Sequence, residues 1–162
     1  MHEPTGPEWL VAIEKSGVAQ LMRESLWMYP IVEIVHIIGF VILVGGVAAF
    51  DLRLLGLSRG IEIPALARHL LPWSVASLLL IVPAGLLMFS AHATEFARNP
   101  VFLLKLSLIA LAGLNAAAFH LGPYRKAWSW HSDPPGRAKV FAIMSIAMWL
   151  AVIACGRLLA YI

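Results

Sequence analysis

The chain holds 162 residues, 60% of them hydrophobic and 13% charged, with a mean hydropathy of +0.83. That balance excludes an ordinary soluble domain and points to an integral membrane protein. The net charge is only +3 despite a pI of about 9.4, and Lys and Arg stand beside the ends of apolar runs. That is the pattern of membrane topology, not of nucleic-acid binding.

The first 25 residues carry Glu3, Glu8, Glu14, Lys15, Arg23 and Glu24 and no long apolar core. A cleavable signal peptide is therefore not expected, and the first spanning helix should direct insertion. Residues 1–27 instead read as an interfacial amphipathic helix. Thr5 and Glu8 have capping-box spacing, and Trp9, Leu10, Ile13, Leu21 and Met22 lie among the charges. Pro30 is expected to turn the chain into the bilayer, with Trp27 and Tyr29 in an aromatic belt and Tyr161 returning to it. Trp73, Tyr124, Trp128 and Trp130 are expected in the opposite belt.

Residues 28–162 hold four runs that can each cross a hydrocarbon core, which takes roughly 20 apolar helical residues. The expected fold is all-α, a four-transmembrane-helix bundle with helices at about 30–55, 65–96, 101–122 and 138–160. Pro72 and Pro83 predict kinks in the second helix, and Asn99 with Pro100 predicts a break before the third. Lys105 is expected to snorkel from the first turn of the third helix. The connections after the first and third helices hold Arg53, Arg59, Arg68, Arg125, Lys126, Arg137 and Lys139; the other side holds Lys15, Arg23, Arg98, Lys105 and Arg157. That excess places both termini outside, on the periplasmic side of a bacterial inner membrane. Cys155, the single cysteine, excludes an internal disulfide.

The first run, IVEIVHIIGFVILVGG, carries Glu33 and His36. Three residues apart, they face nearly the same way. An ionisable group at bilayer depth costs on the order of 3 kcal/mol and usually serves a function. His36 lies roughly 8 Å inside Ile31 at about 1.5 Å per residue. By depth, His36 groups with His92 in the outer half, and His69 with His120 near the other face. Two layers of two histidines from different helices would let a four-helix bundle hold one or two b-type haems, each iron taking two imidazoles. Gly39, Gly45, Gly46, Gly85 and Gly113 offer room for a flat porphyrin; Arg53, Arg68, Arg125 and Trp73 on one side, and Arg98 and Arg157 on the other, offer partners for propionates. Met144 and Met148, one turn apart, are read as packing residues before copper or haem ligands, and His2 and His131 as solvated.

The run Tyr29 to Leu57, ALARHLLPW and NPVFLLKLSLIALAGLNAAAFH resembles a family of small, uncharacterised bacterial four-helix membrane proteins over most of the chain. HIIGFVILVGGVAAFDLRLL is similar to the first helix of two further families, the membrane-bound haem-containing protoporphyrinogen oxidase and the copper-resistance D membrane proteins. This second similarity rests on His36, Gly45, Gly46 and Arg53 and implies that His36 is a haem ligand.

The leading expectation is thus a transmembrane b-type cytochrome passing electrons between a quinone or a redox partner protein and an acceptor on the opposite face, alone or as a homo-oligomer. A copper- or proton-handling transporter using Glu33, His36, Asp51 and the methionines is the second, and a membrane assembly subunit without chemistry the third. No phosphate loop, nucleotide motif or nucleophile with a nearby base suggests a fourth.

Overall fold

The computed structural model describes residues 6–130 and 133–161. Thr5 of the expected capping box, together with His2 and His131, lies outside them. Among the described residues the chain is helical without strands: α1 (Glu8–Glu14), α2 (Gly17–Glu24), α3 (Met28–Leu54), α4 (Ile63–Ala76), α5 (Leu78–Ala91), α6 (Ala93–Arg98), α7 (Pro100–Leu121), a 3₁₀ turn (Pro123–Ser129) and α8 (Gly136–Leu158). Four stretches are long and apolar enough to cross a membrane: α3, α4 with α5, α7, and α8. The protein is membrane-embedded and all-α, with α3–α4 and α7–α8 connected on one face and α1, α2 and the end of α8 on the other.

The N-terminal segment is two helices rather than one. Ser16 is extended at φ −62°, ψ 152°, and its hydroxyl accepts from the Ala19 N–H, which starts α2 afresh. Ala19 and Met22 of α2 are buried, Met22 in a cluster with Val32, Ala84 and Ala91 at the terminal ends of α3 and α5. Pro30 sits inside the first turn of α3, where a missing N–H costs no helical bond.

The second span departs from the expected pattern. Pro72 and Pro83 both lie within helical turns, and the interruption falls between them at Ser77. The Ser77 hydroxyl donates to the Ser74 carbonyl at 2.7 Å, taking the acceptor that the Leu78 N–H would use. His92, at φ −142°, ψ 46°, then ends α5 before residue 96, so the last turn becomes the separate helix α6. The break before α7 falls where expected: Asn99 caps it, its oxygen accepting from the Val101 and Phe102 N–H groups at 2.9 and 3.3 Å.

α3 is the central element. Gly39 abuts Leu80 and Ile81, and Gly46 abuts the Ser74 hydroxyl, so α3 lies directly against both α5 and α4. α8 packs on α3 and α7. No Cα of α7 comes within 8 Å of α4 or α5 among the described residues, and spans two and three meet through side chains, the rings of Phe89 and Phe102 stacking at 5.7 Å. At the loop face Phe50, Leu54, Ile63, Ala67, Phe119, Ala138 and Ala142 form the core, with Tyr124 and Trp130 packed on it. Those two aromatics therefore cover the core, while Trp27, Trp73, Trp128 and Tyr161 are exposed as belt residues should be.

Candidate functional site

His36 projects from α3 onto α5. Its Nδ1 lies 3.0 Å from the Ile81 carbonyl, and a Cβ built on Gly85 would stand 3.2 Å from its Cε1. Glycine at position 85 is what lets the ring approach. Because a carbonyl only accepts, Nδ1 carries the proton in that contact, and Nε2 keeps its lone pair. Glu33, exposed one turn nearer the terminal face, and Lys105 from α7 are both near enough to act electrostatically on this ring. The Lys105 Nζ lies 3.8 Å from where a Gly156 Cβ would be, so it reaches toward α8, half-buried.

The other histidines take different settings. His92 follows Gly85 by seven residues, about 10 Å of helical rise. Its ring stands 6.3 Å from that of Phe96, and it acts electrostatically on Glu14 of α1. His69 is exposed on α4. His120 is exposed on α7; its Nδ1 is 2.8 Å from the Ala116 carbonyl, and its ring is 4.9 Å from that of Tyr124. Among the described residues no group of three or more His, Cys, Asp or Glu side chains is placed to hold a metal ion. Met144 is exposed and Met148 half-buried on α8.

The expected pairs are not opposed across an open gap between their helices. Two axial imidazoles need their helices far enough apart to admit the iron and ring, yet α3 touches α5 at Gly39, and His36 itself rests on Gly85. Between α4 and α7, the interior near His69 and His120 is filled by Phe50, Leu66, Leu71, Phe119 and Tyr124, while both histidines are exposed. The glycines tell the same story: Gly39, Gly46 and Gly85 are filled by protein, while Gly45 and Gly113 open outward with nothing within 4 Å.

The arginines expected near propionates are spread apart. Arg53 is 2% exposed; its Nε donates to the Ile61 carbonyl at 2.6 Å and its Nη2 to the Arg59 carbonyl at 3.1 Å. It clamps the α3–α4 loop, where Gly56 at φ 109° makes the turn that a side chain would strain. Arg68 lies over Trp128 at 5.4 Å, and Arg157 stacks on Tyr161 at 4.8 Å and donates to its hydroxyl. Arg98 and Arg125 are exposed.

Sequence reasoning named Asp51 but missed two further buried polar groups, Asn115 and Ser145. Asp51 of α3, Asn115 of α7 and Ser145 of α8 are all buried, and Ser145 lies near enough to Asp51 to act on its carboxylate. An aspartate in the last turns of one apolar run and an asparagine within another were the available signals.

The match to known families begins at residue 27, one residue before α3, and runs to residue 162, taking in every span and leaving α1 and α2 outside. The chain belongs to DUF6644, a family of unknown function. Neither a curated protein nor a solved structure matches it. That match is consistent with the uncharacterised family that the sequence resembles, and this member carries four helices long and apolar enough to cross a membrane.

Proposed function

We propose that the protein handles cations within the bilayer, as a transporter or relay for protons or metal ions. The observation that carries this reading is a file of polar groups along α3. Glu33 and His36 stand in its outer half, the Ser77 carbonyl is 3.2 Å from a Cβ built on Gly39, the Ser74 hydroxyl meets Gly46, and Asp51 lies near the loop face. From Glu33 to Asp51 is about 27 Å of helical rise, close to the ~30 Å hydrocarbon thickness. Ionisable groups at such depth are costly, and the recurrence of Glu33, His36 and Asp51 across the width supports a path; Ser74 and Ser77 between them are hydrogen-bonded within their own span. His36 suits proton exchange: its Nδ1 is occupied and Nε2 is open to accept. The excess of Lys and Arg on the two connecting loops supports a bacterial inner-membrane protein with periplasmic termini.

Proteoliposomes carrying a pH-sensitive dye test this reading. The protein should dissipate an imposed proton or metal-ion gradient faster than empty vesicles, and Glu33→Gln and His36→Ala should each slow it at least about tenfold, the usual size of a lost acid–base group. Vesicles as tight as empty ones with both protons and copper would overturn it.

A second reading, the b-type cytochrome, is favoured by one observation: Nδ1 of His36 and of His120 both face backbone carbonyls, which leaves each Nε2 available to a metal. A visible spectrum of the detergent-purified protein decides it. Haem bands that vanish in His36→Ala with His120→Ala would establish that reading, with a quinone or redox protein as partner, and a colourless folded preparation would end it.

A further inference from the structure

The 3₁₀ turn Pro123–Ser129 sorts its side chains by threes, because residues three apart in such a helix lie above one another. Ala127 is buried, and Tyr124 and Trp130, three residues to either side of it, pack on the loop-face core. Arg125 and Trp128 form the neighbouring ridge, about 6 Å apart along the axis at ~2.0 Å per residue, and both are exposed. A second guanidinium reaches this ridge from α4. Arg68, exposed beside the buried Ala67, stands over the Trp128 ring at 5.4 Å. Two arginines from different elements therefore flank one indole.

Neither arginine has an acidic partner. Among the described residues no carboxylate pairs with Arg68, Arg125 or Lys126, and the exposed acids of this face are Glu62 and Asp133, the latter held by Lys139 at 3.0 Å. Against them the face presents Arg59, Arg68, Arg125, Lys126, Arg137 and Lys139. A guanidinium stacked on an indole uses its flat face there, which leaves its in-plane N–H groups to meet an oxyanion.

The class of anion follows from what lies beneath the pair. Leu121, 66% exposed, ends α7 directly before the turn. Trp73, 67% exposed, stands on α4 further into the bilayer than Arg68 by about 8 Å of helical rise. Cations at the rim with bare apolar side chains below them match a phosphate carried on acyl chains, which meets both parts at once. A headgroup with its own ammonium brings no net charge to the arginines, so one with a net negative charge is the better fit.

We propose that Arg68, Arg125 and Trp128 form a seat for the headgroup of an anionic phospholipid on the loop face, with Lys126 adding charge beside it. The seat lies apart from the file of polar groups along α3, and it stands whether or not the protein moves ions.

Native mass spectrometry of the full-length protein, released from detergent holding equal amounts of phosphatidylglycerol and phosphatidylcholine, tests the seat. Wild type should retain phosphatidylglycerol in preference to phosphatidylcholine. Arg68→Gln and Arg125→Gln should each weaken that binding about fivefold, the worth of one basic side chain at an anionic surface. Trp128→Ala, which changes no charge, should weaken it about threefold, the scale of an exposed cation–π contact. Arg59→Gln on the same face and Lys15→Gln on the opposite one should leave it unchanged. Wild type that takes both lipids equally overturns the proposal. So do equal losses from Arg59→Gln and Arg68→Gln, which would mean a diffuse field rather than a seat, and displacement of phosphatidylglycerol by inorganic phosphate, which would mean a soluble ligand. Should a variant fail to fold, tryptophan fluorescence of wild type decides: phosphatidylglycerol brominated near the headgroup should quench it more than phosphatidylcholine brominated alike, and equal quenching overturns the seat.

Discussion

At the scale of single residues, the glycines divide into two kinds that a sequence cannot separate. A Cβ on Gly46 would collide with the Ser74 hydroxyl, whereas one on Gly113 meets nothing within 4 Å. Gly46→Ala should cost about 1–3 kcal/mol by overpacking, and Gly113→Ala should be neutral or stabilise by up to ~1 kcal/mol through helix propensity. Thermal unfolding in detergent checks both, and Ser74→Ala added to Gly46→Ala should recover much of the loss. Arg53 offers a companion test. Its buried guanidinium holds two loop carbonyls, so Arg53→Ala should destabilise by about 2–3 kcal/mol, and Arg53→Lys should rescue little because an ammonium lacks the planar fork. The sequence made Arg53 visible as a cation ending a span, but its loop partners depend on the turn at Gly56 and Ser58, both at positive φ. His36 was legible for the same reason, as an imidazole in an oily run. Its partner on α5 was not, because the Ser77 interruption rotates everything beyond it relative to any straight helical wheel.

At the scale of elements, the four spans were readable because hydropathy over some twenty residues is a summed signal that local detail cannot cancel. The junctions were less so, because a single hydroxyl or capping contact decides them. Outside the bilayer, Glu14 shows how such a junction is held. Its carboxylate accepts from the Thr94 N–H at 2.9 Å and the Thr94 hydroxyl at 2.7 Å, while Arg23 donates to the Ala91 and Glu14 carbonyls at 2.8 Å each. Burial pushes this carboxyl upward, and the two Thr94 bonds, with Arg23 and His92, outweigh it and hold the group below its usual range. A depressed carboxylate contributes stability that is present above the unfolded value and is lost as pH falls through the folded one. Hydrogen exchange at the Thr94 amide should accordingly speed up relative to the spans as pH drops below the ordinary glutamate range, and Glu14→Gln should remove that dependence. The Asp133 carboxyl, lowered by its hydrogen bond from Lys139 at 3.0 Å, is exposed, so Asp133→Asn should leave stability within experimental error.

At the scale of the whole molecule, α1 and α2 lie outside the family match and cover the terminal ends of α3, α5 and α6. A chain starting at Ser25 should keep its four spans, with nearly unchanged helical circular dichroism per residue, but should melt at a lower temperature because Val32, Ala84 and Ala91 lose the cover of Met22. Loss of helicity in that truncation would show that the interfacial pair is required for the spans to assemble. The two-sided arrangement around α3 carries a further mechanical consequence. Gly39 grips α5 and Gly46 grips α4, on either side of the interruption at Ser77. Each half of the second span is therefore fastened to α3 on its own, α4 at Gly46 and α5 at Gly39 and His36, so the halves can tilt about different points, and a strain applied at the His92 end need not reach the Pro72 end.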